Sequence, residues 1–240
     1  MQIVQSCLGA LSVVWRTRRG ASHRRPQQPR RRWLNFQTLE ERLALAFTTI
    51  VNSGPSANRV DAVFLGDGYT SSDLTNVYPT HINNMLTHMF NEAEDPFPRY
   101  RNFFNVHRVD VVSQESGADV PPEGIFRNTA LGASYFYRGG PDRLLYIDEA
   151  LADAALNNNL SGSGFSAELK LVTVNESRYG GGGGNYAVYS GGNTVATEVA
   201  LHELGHSFGN LADHYVDPGS GNYTGSEPSE PDVTKSSSGK

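Results

Sequence analysis

The stretch LHELGHSFGNLADHY, residues 201–215, places three histidines, a glutamate and an aspartate within an otherwise apolar helical pattern. His202 and His206 are four positions apart, so in an α-helix they lie one turn apart and about 40° from each other around the axis. Their two imidazoles can therefore reach the same metal ion. The pattern H-E-x-x-H that they form predicts a zinc site on a helix.

Glu203 lies beside the two histidines and has a different predicted role. Zinc lowers the pKa of a bound water towards about 7, and a neighbouring carboxylate can accept the proton that is released. We therefore predict that Glu203 is the general base that activates a zinc-bound water. The alternative for this segment is a partly buried helix whose histidines are satisfied by hydrogen bonds.

The residues that follow His206 offer candidates for a third metal ligand. Gly209 predicts a helix end in the left-handed conformation, after which the chain can turn back towards the same ion. The arrangement resembles the metzincin pattern H-E-x-x-H-x-x-G-x-x-H, whose last position is here Ala212, a residue that cannot bind metal. Asp213 comes next and is the predicted ligand. His214 is the alternative, because imidazole is a frequent zinc ligand.

The charge of the 240-residue chain is unevenly distributed. Residues 1–46 hold nine of the 20 basic side chains and two of the 25 acidic ones, so the remainder has 11 basic and 23 acidic side chains. A body with a net charge of −12 is poorly suited to nucleic acid, and we expect no such partner. Cys7 is the only cysteine, which excludes thiolate zinc sites and a disulfide within one chain.

The same charge distribution predicts two regions. Residues 1–46 are predicted to be a basic, largely disordered leader, and residues 47–240 the catalytic domain. The segment RRRWLNFQTLEERLALA, residues 30–46, resembles leaders found on exported bacterial proteins, so we expect an extracellular or cell-envelope location. The alternative is a disordered basic tail with a short helix. No apolar run reaches the roughly 20 residues of a transmembrane helix, and we expect no such segment.

Strand-like and helix-like segments alternate from about residue 47 onwards, which predicts an α/β fold with a mixed sheet. A helix is predicted from Ser71 or Ser72, interrupted or started by Pro79, and another is capped near Asp148. The active-site helix is predicted to be capped by Asn193 or Thr194. The predicted strands are RVDAVFLGD, FFNVHRVDVVS, ELKLVTVN, NYAVYS and RLLYI.

Several other features have predictions of their own. The five glycines 180–184 lack the Lys and Ser/Thr of a phosphate-binding loop, so they predict a mobile surface loop or a flexible flap beside a cleft. NYAVYS could offer its edge to an extended polypeptide substrate. Asp67 is predicted to serve a turn or helix cap rather than to bind a cation. His81 and His88 are predicted to have surface or packing roles, and no function is assigned to His107. Tyr215 is predicted either to stabilise an oxyanion or to pack.

The motif segment resembles the IgA-peptidase family of zinc metallopeptidases, in which it commonly reads HE-x-GHSF…LADEY. Here it reads HELGHSFGNLADHY, and LGDGYT, DPFPRY, FFNVHRVDVVSQESGADVP and YGGGGGNYAVYS follow the family's order upstream, so the resemblance covers roughly residues 58–233. It implies a metzincin-like fold and extracellular hydrolysis of peptide bonds. It also implies that His202, His206 and Asp213 bind zinc and that Glu203 is the general base.

Two departures from the resembled families motivate alternatives to an active enzyme. His214 stands where the family usually has glutamate, and all three methionines (Met1, Met85 and Met89) precede the motif, whereas metzincins have a methionine turn after it. We therefore expect the C-terminal part of the catalytic domain to be incomplete. The first alternative function is a catalytically inactive, zinc-bearing binding or adhesion module at the cell surface. The second is a metal-dependent hydrolase of another bond, such as an amidase.

Overall fold

The computed structural model describes residues 46–214, 221–237 and 239. The chain divides into two units, residues 1–40 and 41–240, and every described residue belongs to the second. Residues 1–45 of the predicted leader, including Cys7, lie outside the described residues. Tyr215 lies outside them as well. The boundary between residues 46 and 47 therefore stays a prediction.

A six-stranded mixed sheet forms the centre of the fold, in the strand order β1-β3-β2-β4-β6-β5. Strands β3, β2, β4 and β6 are parallel to one another, while β1 and β5 pair antiparallel to them at the two ends. The strands are β1 Ala46–Val51, β2 Val60–Asp67, β3 Phe104–Asp110, β4 Leu169–Val174, β5 Gly181–Gly182 and β6 Ala187–Ser190.

Four α-helices in the described part of the chain accompany the sheet, together with short 3-10 turns: α1 Asp73–Thr87, α2 Phe97–Tyr100, α3 Glu149–Leu160 and α4 Ala196–Ser207. A π-helical turn, His88–Glu92, directly continues α1. Helices α1 and α4 pack with Phe64 of β2 in one apolar cluster, and α3 packs with the adjacent Val63 in another. Since neighbouring strand residues face opposite sides, the sheet is covered on both faces, which explains why seven of the eight β2 residues are buried.

The predicted α/β class is confirmed, and most predicted elements are present. Helix α1 begins after Ser72 and runs through Pro79 without ending there. Asp148 caps α3 as predicted, because its Oδ1 accepts hydrogen bonds from the backbone N–H groups of Ala150 (2.9 Å) and Leu151 (3.3 Å). The antiparallel edge strand β1 was not predicted from the sequence.

Two predictions about the β6 end of the sheet are wrong. RLLYI forms isolated bridges, such as Leu144 with Gly181, instead of a strand. Strand β6, which contains most of NYAVYS, lies between β4 and β5, so it has no open edge for a substrate. The glycine strand β5 lies outside it at this end of the sheet.

The glycine run begins with three buried residues, of which Gly181–Gly182 form the edge strand β5, so it is not the predicted mobile surface loop. Gly181 and Gly182 pair with Tyr189 and Val188 of β6, and on the other side Gly181 N–H donates to the Arg143 carbonyl oxygen (3.1 Å). Gly180, Gly181 and Gly182 are all buried. The predicted position beside a cleft is nevertheless observed, as described below.

No helix within the described ranges is long and apolar enough to cross a membrane.

Candidate active site

Helix α4 carries the H-E-x-x-H motif, in which His202 is exposed, His206 is partly buried and Glu203 is buried. Val199, Ala200 and Leu204 are buried against the sheet, which fixes the rotation of the helix about its axis. The predicted cap residues lie just before the observed start: Asn193 Oδ1 accepts from the Val195 N–H (3.0 Å), and the helix begins at Ala196. Phe208, the residue directly after the helix, is 51% exposed.

The chain turns back after α4, as predicted, but by a different conformation. The left-handed residue is Asn210 (φ 50°) and not Gly209, and the Leu211 N–H donates to the Gly205 carbonyl oxygen (3.0 Å). A Cβ on Gly209 would lie 2.8 Å from that same carbonyl oxygen. Gly209 therefore permits a close approach of the returning chain to the helix end, and this return brings Asp213 back to α4.

Three predicted ligands, His202, His206 and Asp213, meet at the end of this turn. The two histidine Nε2 atoms are 3.1 Å apart, and Asp213 Oδ1 lies 3.1 Å from His202 Nε2 and 3.3 Å from His206 Nε2. Two ligand atoms held about 2.0–2.1 Å from one zinc ion at a tetrahedral angle are about 3.3 Å apart. The spacing and the N, N, O donor set therefore fit zinc. Within the described part of the chain, this is the single group of three or more His, Cys, Asp or Glu side chains placed to hold a metal.

A backbone contact orients one of these imidazoles. His206 Nδ1 lies 2.7 Å from the Leu211 carbonyl oxygen, which can only accept a hydrogen bond, so Nδ1 carries the hydrogen. The Nε2 atom of the neutral ring then keeps its lone pair for a metal. The turn after α4 thus sets the tautomer of His206 as well as the position of Asp213.

The two candidates for the third ligand point to different partners. Asp213 joins the histidine cluster, whereas His214 Nε2 lies 2.7 Å from Asp232 Oδ2. The same Asp232 carboxylate accepts the Ala212 N–H. Asp232 was missed by the sequence analysis, because no motif connects a residue nearly twenty positions away with the ligand-bearing turn.

The side chain of Glu203 projects from α4 and is covered by the glycine strand, so that 8% of the residue's surface is exposed. A Cβ on Gly181 would lie 2.7 Å from Glu203 Oε1, and one on Gly183 would lie 3.2 Å from Oε2. Burial raises the pKa of Glu203 to about 7; the charge of His206 opposes this rise and that of Asp213 adds to it. A carboxylate with a pKa near neutrality is suited to accept and return a proton.

These side chains open into a cleft of about 950 Å³ that is bounded by α4, the glycine strand and the segment before α3. Tyr146 is another cleft residue that the sequence analysis missed; its ring stacks on Tyr137 with centroids 4.0 Å apart. Burial and the nearby charge of Glu203 raise the pKa of Tyr146, which keeps its hydroxyl protonated. The other lining residues are Arg143, Leu144, Tyr179, Gly181, Gly182, Gly183, Val195, Glu198, Val199, His202, His206 and Asp213.

Asp67 and His107 belong to buried hydrogen-bond networks away from the cleft. Asp67 accepts from the backbone N–H groups of Leu131 and Ala133, both at 2.8 Å, so it holds a distant loop instead of the predicted local turn or helix cap. His107, to which no function was assigned, lies 3.1 Å from Asp61 Oδ1 through its Nε2 atom. The first contact ties a loop to β2, and the second joins β3 to β2.

His81 and His88 have packing roles, as predicted. His81 Nδ1 lies 2.7 Å from the Tyr69 hydroxyl, and burial lowers the pKa of this histidine. His88 Nε2 lies 3.1 Å from Glu198 Oε1 and so connects the π-helical turn with α4.

Replacing Gly181 with alanine tests the role of the bare glycine strand. The new Cβ would lie 2.5 Å from Val199 Cγ1 and 2.7 Å from Glu203 Oε1, so we expect overpacking to lower the free energy of unfolding by about 1–3 kcal/mol. Chemical denaturation measures this change. Gly221→Ala is the matched control, because a Cβ there has no atom within 4 Å, and its stability should be unchanged. Equal stability of both variants would contradict the packed arrangement.

Comparison with known families gives a match that covers this part of the chain. A family model described as IgA Peptidase M64 matches residues 48–239, which include the whole motif and the cleft. A search of curated proteins found no match to the chain.

Proposed function

Because the chain belongs to the IgA peptidase M64 family of metallopeptidases, we propose that it is an exported, zinc-dependent metalloendopeptidase. Family membership indicates a peptide-bond hydrolase with a polypeptide substrate. The observation that carries the finer proposal is the convergence of His202, His206 and Asp213 beside a buried Glu203 in one cleft. The proposed architecture is metzincin-like, with the predicted leader directing export and residues 47–240 forming the catalytic domain.

The proposed zinc ligands are the Nε2 atoms of His202 and His206 and a carboxylate oxygen of Asp213. Zinc supplies Lewis acidity towards the scissile carbonyl and towards the attacking water. Glu203 accepts a proton from that water and later delivers it to the nitrogen of the leaving amine. Enclosure of its carboxylate by Gly181 and Gly183 restricts its side chain to the region of the ligand cluster.

The glycine that follows the glycine strand provides the proposed binding edge for an extended substrate. Gly181 is already paired on both sides, with Tyr189 of β6 and with the Arg143–Leu145 segment. Gly183 lies further along the chain and lines the cleft next to His206. We propose that a peptide lies along the cleft beside Gly183, where backbone hydrogen bonds can hold it in an extended form.

We expect the purified full chain to bind about one zinc ion and to hydrolyse a general protein substrate. Elemental analysis measures the metal, and release of fluorescent peptides from labelled casein measures activity. A chelator should abolish hydrolysis and added zinc should restore it, because the ligand set consists of two imidazoles and one carboxylate.

Three possible failures of this experiment have different meanings. Absence of zinc after folding in its presence would exclude the zinc-peptidase proposal. Stoichiometric zinc without hydrolysis of casein or of a peptide library would favour the inactive binding module. Hydrolysis of amide compounds with no peptide cleavage would favour the amidase alternative.

A further inference from the structure

One carboxylate contacts both residues that flank the proposed ligand Asp213. The Ala212 N–H lies 3.0 Å from Asp232 Oδ1 and 3.2 Å from Oδ2. On the other side of Asp213, His214 Nε2 lies 2.7 Å from the same Oδ2 atom. Asp232 thus connects the segment 221–237 with the turn that returns to α4.

The contacts of Asp232 are charge-assisted hydrogen bonds, which can hold the turn around Asp213 in place. The side chain of Asp232 is 20% exposed, whereas those of Asp213 and His214 are 38% and 65% exposed. The Ala212 N–H, followed by the hydrogen bond from His214, lowers the pKa of Asp232, so this carboxylate is ionised at neutral pH. Hydrogen bonds to an ionised acceptor are shorter and stronger than neutral ones.

We propose that Asp232 is a positioning residue that holds Asp213 in place for the metal. It acts through the backbone on either side of Asp213 and does not belong to the ligand cluster. By fixing Ala212 and His214, it reduces the conformational freedom that Asp213 would lose when zinc binds, which favours binding. This inference rests on the proposed zinc site and adds to it a residue outside the motif.

Zinc affinity, measured by competition with a chromogenic chelator, tests the proposal in the full chain. Loss of a partner that orients a metal ligand typically weakens binding 10–100-fold, and we expect Asp232→Ala to fall within about this range. Asp232→Asn should stay within about threefold of the parent, because its amide can accept the Ala212 N–H and donate to the His214 ring. Glu227→Gln removes the same charge from the same segment, where Glu227 binds Thr234 and Lys235, and should leave the affinity unchanged.

A double-mutant cycle separates positioning of Asp213 from general stabilisation. In the Asp213→Ala background, adding Asp232→Ala should change zinc affinity less than about twofold, because the residue through which Asp232 acts is gone. An equal loss in both backgrounds, or a parent-like affinity of Asp232→Ala, would overturn the inference while the zinc site stands. A parent chain that binds no zinc would instead remove the proposed function, and this inference with it.

Discussion

Glu203→Gln should abolish nearly all peptide hydrolysis while leaving zinc bound. Loss of a general base typically costs 10²–10⁴-fold in rate, and we expect kcat/KM to fall by about this factor. Glutamine has nearly the same shape as glutamate, so the packing of the side chain beside Gly181 and Gly183 is kept. Hydrolysis is lost because the amide cannot accept a proton from water. Zinc stays bound because Glu203 does not belong to the ligand cluster of His202, His206 and Asp213. Activity assays and elemental analysis of the same preparation measure both quantities.

The stability of the metal-free variant provides an independent check on the burial of Glu203. Because burial raises the pKa of this carboxyl from 4.5 to about 7, the folded parent loses stability as pH rises through this interval. The neutral amide avoids this loss. At pH 8 the metal-free variant should therefore be more stable than the metal-free parent, by about 3 kcal/mol, and the difference should disappear below pH 4.

A surface glutamate gives the matched control for activity. Glu94 is exposed and contributes nothing to the lining of the cleft. Glu94→Gln should keep hydrolysis and zinc content at the level of the parent. If Glu203→Gln retains activity within a few-fold of this control, another group activates the water and the proposed mechanism is wrong.

The helix that carries the motif could be predicted because its geometry is local. Two histidines four residues apart share one side of any α-helix, and the apolar positions Val199 and Leu204 indicate which side is buried. The α/β class follows from alternating strand and helix patterns in the same way. These features need no knowledge of distant residues.

The glycine run was misjudged because its structural role comes from its neighbours. Five glycines carry no side-chain pattern, and their conformational freedom favours the prediction of a mobile loop. In the fold, the missing Cβ atoms instead let Gly181 and Gly183 approach Glu203 and His206 closely. That requirement becomes visible only when α4 and the sheet edge are placed together.

The turn after α4 shows a similar limit of sequence reasoning. A glycine near a helix end predicts the left-handed conformation at that glycine, but here Asn210 adopts it and Gly209 provides space. Asn tolerates positive φ better than most residues, so both choices satisfy local chemistry. The carbonyl of Leu211 that orients His206 is a backbone group, and no residue type in the sequence marks it.

The identity of the third ligand leads to the second large expected effect. Adjacent side chains usually point apart, so one of Asp213 and His214 should reach the ion. Asp213 Oδ1 lies 3.1 Å from His202 Nε2, whereas His214 Nε2 lies 2.7 Å from Asp232. The geometry therefore favours Asp213, in agreement with the sequence spacing, although imidazole is the more frequent zinc ligand.

Asp213→Ala should lower zinc affinity about a hundredfold or more, because structural zinc sites provide about 10–16 kcal/mol from four ligands, or about 3 kcal/mol for each. His214→Ala should lower it less than about tenfold, since Asp232 still accepts the Ala212 N–H and Asp213 stays near the histidines. Chelator competition on both variants, with circular dichroism to confirm folding, measures the difference. Asp213→Asn keeps the side-chain shape but loses the charge, and it should resemble Asp213→Ala. A large loss for His214→Ala together with retained affinity in Asp213→Ala would reverse the assignment and make His214 the third ligand.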